Sequence, residues 1–258
     1  MADWLYSLPD WLLLVIWAGS FALLIIALPS LTHRLPWLRP GPDSTDFVLR
    51  LQPTLFTVTS FVVAFTLFEA QSNIRKIDAL VTSEAAQINR LDRLLVRYGD
   101  DQASQARGHL LAYARSVIAE DWPDMLDGGD EKTVEAFIVV SRSTLALRPQ
   151  GPQMALHPEI LRAVDAVGEA RELRLKAATV RLSATFWETV LFAVLLLIFV
   201  SSIIERTPYR TVVLGCQMAV LGAFIGFVFI MDHPLKGRSA VDPAAIVQTI
   251  AIIEGRKG

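Results

Sequence analysis

One predicted helix face combines hydroxyl and phenyl side chains in a pattern suited to water or ions. Thr54, Thr57, Phe61, Phe65 and Phe68 recur every three or four residues, so a helix would place them on one side. Repeated around a symmetry axis, this face would form a polar vestibule at the two threonines and an aromatic neck at the three phenylalanines. Hydrophobic constrictions of that kind gate by dewetting. The alternative is that the phenylalanines pack against neighbouring helices or lipid.

Five charged residues lie at or near the ends of apolar segments. Glu69 follows the phenylalanines, with Arg75 and Lys76 next in sequence, while Glu188 lies inside the third apolar segment and Asp232 ends the fourth. Ionisable residues at membrane depth are often functional, and a ring of mixed charge at an inner mouth could filter ions. Interfacial snorkelling and local ion pairs would explain the same residues equally well.

The remaining polar residues do not form a recognisable catalytic set. The four histidines are scattered, no Gly-rich phosphate loop or Ser/His/Asp arrangement is visible, and Cys216 is the single cysteine. The acidic stretch 120–131 lacks the spacing of an EF-hand, so we read it as a solvated loop. We expect no enzymatic activity, no cofactor and no bound metal. The net charge of −2 gives no basic field for nucleic acid.

Four long apolar segments must position these residues: 11–31, 51–68, 186–204 and 212–231. About 20 apolar residues in a helix cross the hydrocarbon core of a bilayer, where backbone groups must be satisfied internally. The sequence therefore predicts an all-α integral membrane protein with four transmembrane helices. These form two hairpins that flank a cytoplasmic helical module. If both termini are cytoplasmic, more Lys and Arg residues flank the spans on the cytoplasmic side than on the outer side. Because cytoplasmic loops carry the excess of Lys and Arg, we expect this orientation.

Helical periodicity continues beyond the second and before the third apolar segment. It runs through Arg97 to a stop at residues 98–101, and a later helix is expected to run from about Pro158 through Arg181 into the third span. We therefore divide the chain into a first hairpin (1–72), a helical module continuous with spans 2 and 3 (73–182), a second hairpin (183–233) and a cytoplasmic tail (234–258).

A line of small residues marks the fourth apolar segment. Gly215, Ala219, Gly222 and Gly226 recur at helical spacing and include a G-x-x-x-G step. Small residues let helix backbones approach closely in lipid, so we expect this line to be a packing surface.

Several short motifs resemble the bestrophin-like family of bacterial membrane proteins, which is distantly related to bestrophin channels. They occur in order over most of the chain and include Glu84, Trp122, Pro123, Arg174, Pro234 and Gly237. Two departures are Leu235, where phenylalanine is expected, and Asp121, which is inserted between Glu120 and Trp122.

The resemblance implies a homo-oligomer, expected to be a pentamer, in the bacterial inner membrane. Its axial pore would be lined by the second helix, with Phe61, Phe65 and Phe68 at the neck. The partners would be lipid, further copies of the chain and small inorganic ions of undetermined selectivity. The alternative is a non-conducting membrane scaffold or signalling protein that acts through its cytoplasmic helices.

Overall fold

The computed structural model describes residues 8–28, 42–233 and 241–256, and within these ranges the chain is helical and without strands. It forms two compact units. The first contains Met1–Ser72 and Arg181–Ala240, and the second contains Asn73–Val180 and Val241–Gly258. The motif residues Pro234 and Gly237 lie outside the described residues.

Eight α-helices follow one another along the described chain. They are α1 (Asp10–Ala27), α2 (Pro42–Tyr98), α3 (Asp101–Ser116), α4 (Glu131–Leu145), α5 (Gln153–Ala178), α6 (Ala184–Ser202), α7 (Pro208–Met231) and α8 (Ala244–Gly255). A π-helical turn, Val117–Asp121, follows α3, and a 3₁₀ turn, Met125–Asp127, lies before α4.

Local sequence explains several helix ends. Gly99, with φ of 77°, ends α2 in the left-handed region that glycine adopts without strain. The Asp100 carboxylate then caps α3 by accepting a hydrogen bond from the Ala103 amide at 2.7 Å. Thr207 caps α7 in the same way through the Arg210 amide, and Pro208 occupies the first turn, where its missing N–H costs little.

The predicted extension of the second span is confirmed, because α2 continues to Tyr98 without a break. The predicted continuity into the third span is wrong, because α5 ends at Ala178 and α6 begins at Ala184. At this break the Leu182 amide donates to the Asp232 carboxylate at 2.9 Å instead of to a helical carbonyl, and Ser183 is extended.

The first unit contains the apolar segments of membrane length. Helices α1, α6 and α7, and part of α2, are long and apolar enough to cross a membrane. Its core includes Ile25, Val63, Leu197, Met218 and Leu221. The pairing into two hairpins stays a prediction, because the first connection falls in residues 29–41, outside the described ranges.

Helix α7 packs directly against α1 through its glycines. A Cβ atom at Gly222 would lie 2.7 Å from the Trp17 carbonyl oxygen, and one at Gly226 would lie 2.8 Å from Trp17 Cδ1. Both distances are too short for a side chain, so these glycines are needed for the close approach of the two helices. The line of small residues is therefore a packing surface, as expected.

The second unit is a helical bundle formed by α3, α4, α5, α8 and the part of α2 from Asn73 onward. Its buried residues include Ile88, Leu91, Leu110, Ile160 and Val167. Helix α8 is tied to α3 at its C-terminal end, where Arg107 donates to the Arg256 carbonyl at 3.0 Å and Arg115 pairs with Glu254 at 2.6 Å.

Candidate functional site

The three phenylalanines of α2 are exposed on the surface of the first unit. Phe61, Phe65 and Phe68 retain 74%, 54% and 58% of their accessible surface. The opposite side of the same helix is buried at Val63 and Ala70, which are both 1% exposed. Helix α2 thus has one face that packs within the chain and one aromatic face that is largely exposed.

The threonines predicted for the vestibule lie on the same exposed side. Thr54 and Thr57 are both exposed, and Thr57 Oγ1 donates to the Pro53 carbonyl at 2.8 Å. The buried side instead makes interhelical polar contacts. Thr59 Oγ1 donates to the Ala193 carbonyl of α6 at 3.4 Å, and Gln52 donates to Gln217 of α7 at 2.7 Å. The helix is therefore fixed in rotation, with its hydroxyl–phenyl face outward.

An open cavity of about 330 Å³ adjoins the predicted neck on the side of α6. Phe61 and Phe65 form one wall, and the hydroxyl residues Ser183, Thr185 and Thr189 line the other. The Phe65 ring also meets that of Phe186, with centroids 6.1 Å apart. The neck residues therefore border hydroxyl groups as well as apolar surface.

The charged residues predicted for the inner mouth are divided between the two units. Glu69, Glu188 and Asp232 belong to the first unit, whereas Arg75 and Lys76 belong to the second. Glu69 is half-buried, and Glu188, Arg75 and Lys76 are exposed.

Asp232 differs from the other four because it is buried. Its carboxylate accepts hydrogen bonds from the Leu182 amide at 2.9 Å and from Trp187 Nε1 at 3.1 Å. This arrangement holds the start of α6 and gives Asp232 a structural role.

The second unit contains a buried ionic network that includes the family-motif residues Glu84 and Arg174. Arg174 of α5 donates from Nε to Glu84 Oε2 at 2.5 Å and from Nη2 to Asp121 Oδ2 at 2.8 Å, and all three side chains are fully buried. Arg171 completes the network by binding both oxygens of Asp121, at 2.7 and 2.9 Å. The charges of two carboxylates and two guanidinium groups thus compensate one another in the buried interior of the unit.

The network sets the ionisation of its members. Burial alone would raise the pKa of the Asp121 carboxyl, but hydrogen bonds from Arg171, the Asp130 amide and Arg174 hold it below its usual value. Burial would likewise lower the pKa of Arg174, yet the charge and hydrogen bond of Glu84 raise it. Tyr113 donates to Glu84 Oε1 at 3.1 Å, and burial together with the Glu84 charge raises its pKa well above 10. Asp121 and Arg174 therefore keep their charges at neutral pH.

The inserted Asp121 occupies the π-helical turn. The Trp122 amide donates to the Val117 carbonyl five residues back, at 2.9 Å, so the turn accommodates one residue more than an α-helix would. This places the Asp121 carboxylate against both arginines. Trp122 lies over the Arg174 guanidinium, 5.8 Å from the ring centroid. The residue that departs from the family motif is thus a member of the network.

Gly129 was not singled out from the sequence, although the network requires it. Its φ is 84°, and a Cβ there would lie 2.6 Å from Asp121 Oδ1 and 2.9 Å from Arg171 Nη2. Only glycine fits this position without displacing the ion pair. Two adjacent glycines, Gly128 and Gly129, are typical of a loop, and their sequence alone does not indicate this contact.

A second group of ionic contacts fixes the C-terminal helix. The buried Asp92 carboxylate accepts from Arg107 at 2.8 Å and also from Arg256, which in turn donates to Asn89 at 2.9 Å. These residues are far apart in sequence and follow no recognisable motif. Among the described residues, no group of His, Cys, Asp or Glu is arranged to hold a metal ion.

The described part of the chain is all-helical and has four helices long and apolar enough to cross a membrane, which makes this an all-helical membrane protein. Within that class, a model of the Bestrophin-like domain matches residues 43–246, and the chain belongs to the bestrophin-like family. The resemblance seen in the sequence motifs is thereby confirmed. No curated protein matches the chain in sequence.

Proposed function

We propose that the chain is the subunit of a homo-oligomeric ion channel, with five copies arranged around a pore lined by α2. The observation that carries this proposal is the outward hydroxyl–phenyl face of α2, on a helix whose other side is buried in its own unit. Thr54 and Thr57 form the vestibule, and Phe61, Phe65 and Phe68 form the neck.

An oligomer is required because the four spans of one chain are too few to enclose a vestibule and a pore. The exposed phenylalanines would then meet their symmetry copies across the axis. A ring of phenyl groups makes a constriction that water enters reluctantly, so a small widening would switch conduction on. The hydroxyl groups beside Phe61 and Phe65 supply polar atoms at the edge of this constriction.

Ion selectivity depends on the charged residues that follow the neck. A ring of Glu69 carboxylates would favour cations, whereas Arg75 and Lys76 would favour anions. We place the channel in the bacterial inner membrane with both termini cytoplasmic, and we assign it no enzymatic activity. Its partners are lipid, its own copies and small inorganic ions.

The buried network gives the second unit a mechanical role in this proposal. Glu84 lies on α2 itself, and Arg174 ties it to α5, so the portion of α2 inside the second unit cannot rotate without breaking a buried ion pair. Successive residues of an α-helix are about 100° apart around its axis, so a rotation of that size would turn a different set of side chains toward the pore. A pore helix therefore needs a fixed rotation.

Planar bilayers containing the purified full chain test the proposal. Unitary currents are expected, and Phe65→Ala is expected to change their amplitude or open probability by removing part of the neck. Phe192→Ala, at an exposed phenylalanine of α6, is the matched control and should leave the currents unchanged. Silent bilayers with correctly assembled oligomers would support the non-conducting scaffold instead.

A further inference from the structure

Three arginine side chains of α2 line one open cavity in the second unit. The cavity has a volume of about 270 Å³, and its described lining consists of Arg90, Arg93, Leu94, Arg97 and Glu159. The arginines recur three and four residues apart, so they project from one side of the helix. Glu159 comes from the second turn of α5. The cavity is therefore lined mainly by charged groups, and most of them are positive.

The positive charge of this cavity is not neutralised by contacts within the described chain. The guanidinium groups of Arg90, Arg93 and Arg97 are exposed, and none of them forms an ion pair or hydrogen bond with a residue that the structure describes. Glu159 is also exposed and forms no ion pair with a described residue. Three guanidinium groups and one carboxylate leave an excess of positive charge in the cavity.

The acidic residue nearest to these arginines in sequence is engaged elsewhere. Asp92 lies between Arg90 and Arg93, but its carboxylate is fully buried and accepts hydrogen bonds from Arg107 Nε at 2.8 Å and from Arg256. Its charge is thus compensated by α3 and by the residue that follows α8. Asp92 therefore does not reduce the positive charge that Arg90 and Arg93 present to the cavity.

Helix stability does not explain this arrangement. Arg97 lies in the last turn of α2, where the helix dipole favours a cation, but Arg90 and Arg93 lie too far from that end to benefit. Like charges three or four residues apart on a helix repel each other and destabilise it. The three arginines thus oppose the stability of α2 unless an anion lies between them, and such local conflicts are expected at functional sites.

The two walls of the cavity are held together before any ligand binds. Gln153, at the start of α5, donates from Nε2 to the Tyr98 carbonyl at the end of α2 at 2.9 Å. On α2 itself, Leu94 is only 5% exposed, and Asn89 accepts a hydrogen bond from Arg256 at 2.9 Å. The backbone that carries the arginines is therefore fixed in place, which lowers the entropic cost of binding.

The lining favours a compact anion with more than one negative charge. A guanidinium group presents several N–H donors in one plane and binds phosphate oxygens in pairs. Arg90 and Arg97 are seven residues apart, or roughly 10 Å along the helix, so a compound with two phosphate groups contacts more of the arginines than a single phosphate does. Glu159 repels every anion, so an occupant must gain from several guanidinium groups to bind.

We infer that this cavity binds a small, water-soluble phosphorylated compound with two or more negative charges. Its volume suits a small occupant, and its one apolar lining residue, Leu94, is buried and offers little surface to a lipid tail. The site would serve recognition or regulation through the second unit. It contains none of the residues proposed for the pore, and it does not depend on whether the assembly conducts ions.

Isothermal titration calorimetry of pyrophosphate into the purified full chain in dodecyl maltoside tests the inference. Salt at about 0.15 M screens weak long-range attraction between exposed charges. Saturable binding of one pyrophosphate per chain is expected, and inorganic phosphate should bind more weakly. Arg93→Gln and Arg97→Gln should each weaken pyrophosphate binding about tenfold, because each removes charge-assisted hydrogen bonds to the ligand.

Two further variants separate a defined site from a general effect of net charge. Arg142→Gln removes the same charge from an exposed position of α4 that does not line the cavity, and it should leave the affinity unchanged. Glu159→Gln removes a repelling carboxylate and should strengthen binding about two- to fivefold. Melting temperatures verify that each variant is folded. No saturable binding to the unmodified chain, or equal weakening in Arg93→Gln, Arg97→Gln and Arg142→Gln, would each overturn the inference.

Discussion

Arg174 and Glu84 form a fully buried ion pair, with Arg174 Nε 2.5 Å from Glu84 Oε2. Ninety positions separate the two residues in sequence, and the pair joins α5 to α2 inside the second unit. Asp121 binds the same guanidinium group from the π-helical turn. The motif residues shared with the family therefore form a structural clamp on the helix that we propose lines the pore.

Replacing Arg174 with methionine should destabilise the second unit strongly. The substitution leaves the Glu84 carboxylate buried without its counter-charge, and breaking a buried pair in this way typically costs about 3–5 kcal/mol. We expect a large fall in the melting temperature of the full chain in detergent. Lys176→Met on the same helix is the control, because Lys176 pairs with Glu172 at 3.5 Å on an exposed surface and such pairs contribute little. Equal melting of both variants would contradict the structural role of the network.

The stability of the protein should fall in acid through Asp121. Its folded pKa is depressed, so its contribution is present above the unfolded pKa of about 4 and is lost as the pH falls through the lower folded value. The melting temperature should therefore be steady near neutral pH and decline below about pH 4. Asp121→Asn should melt lower at pH 7 and lose less stability in acid.

The exposed Asp165 provides the control for this titration. Asp165→Asn should reproduce the acid profile of the unmodified protein. An Asp121→Asn profile parallel to that of the unmodified chain, with the same acid decline, would show that another group controls the transition.

Alanine at Gly222 should weaken the packing of α1 on α7. The added Cβ would lie 2.7 Å from the Trp17 carbonyl oxygen, which is backbone and cannot rotate away. Overpacking of this kind costs about 1–3 kcal/mol. At Gly215 the same substitution meets only Ile26 Cδ1 at 3.8 Å and should be tolerated. Thermal unfolding of the two variants in detergent makes the comparison, and similar melting temperatures would argue against this helix contact.

Hydrophobic pattern was sufficient to predict the helical class, the membrane-length segments and the extension of α2. Apolar spacing and the Tyr98-Gly99 stop specify that extension locally, and the glycine line of α7 indicated close packing in the same way. The break before α6 could not be predicted, because it depends on a hydrogen bond between Leu182 and Asp232, 50 positions apart.

Local sequence pattern also could not predict the ionic networks. Glu84 and Arg174 were recognised as family motif residues, but their pairing and the convergence of Arg171 and Arg174 on Asp121 depend on the tertiary fold. Asp121 was noted as an insertion, and the π-helical turn that accommodates it places its carboxylate against Arg171 and Arg174. The contacts of Asp92 with Arg107 and Arg256 carried no sequence signal at all.

The most direct test of the pore assignment is thiol block of currents through a cysteine at position 65. The native Cys216 is exposed and must first be replaced by serine. Phe65→Cys in that background should conduct, and a charged, water-soluble thiol reagent should block it. Val63→Cys, on the buried side of α2, should resist the reagent. A conducting Phe65→Cys oligomer whose current the reagent leaves unchanged, although thiol-reactive lipid probes label the cysteine, would contradict a pore lined by α2.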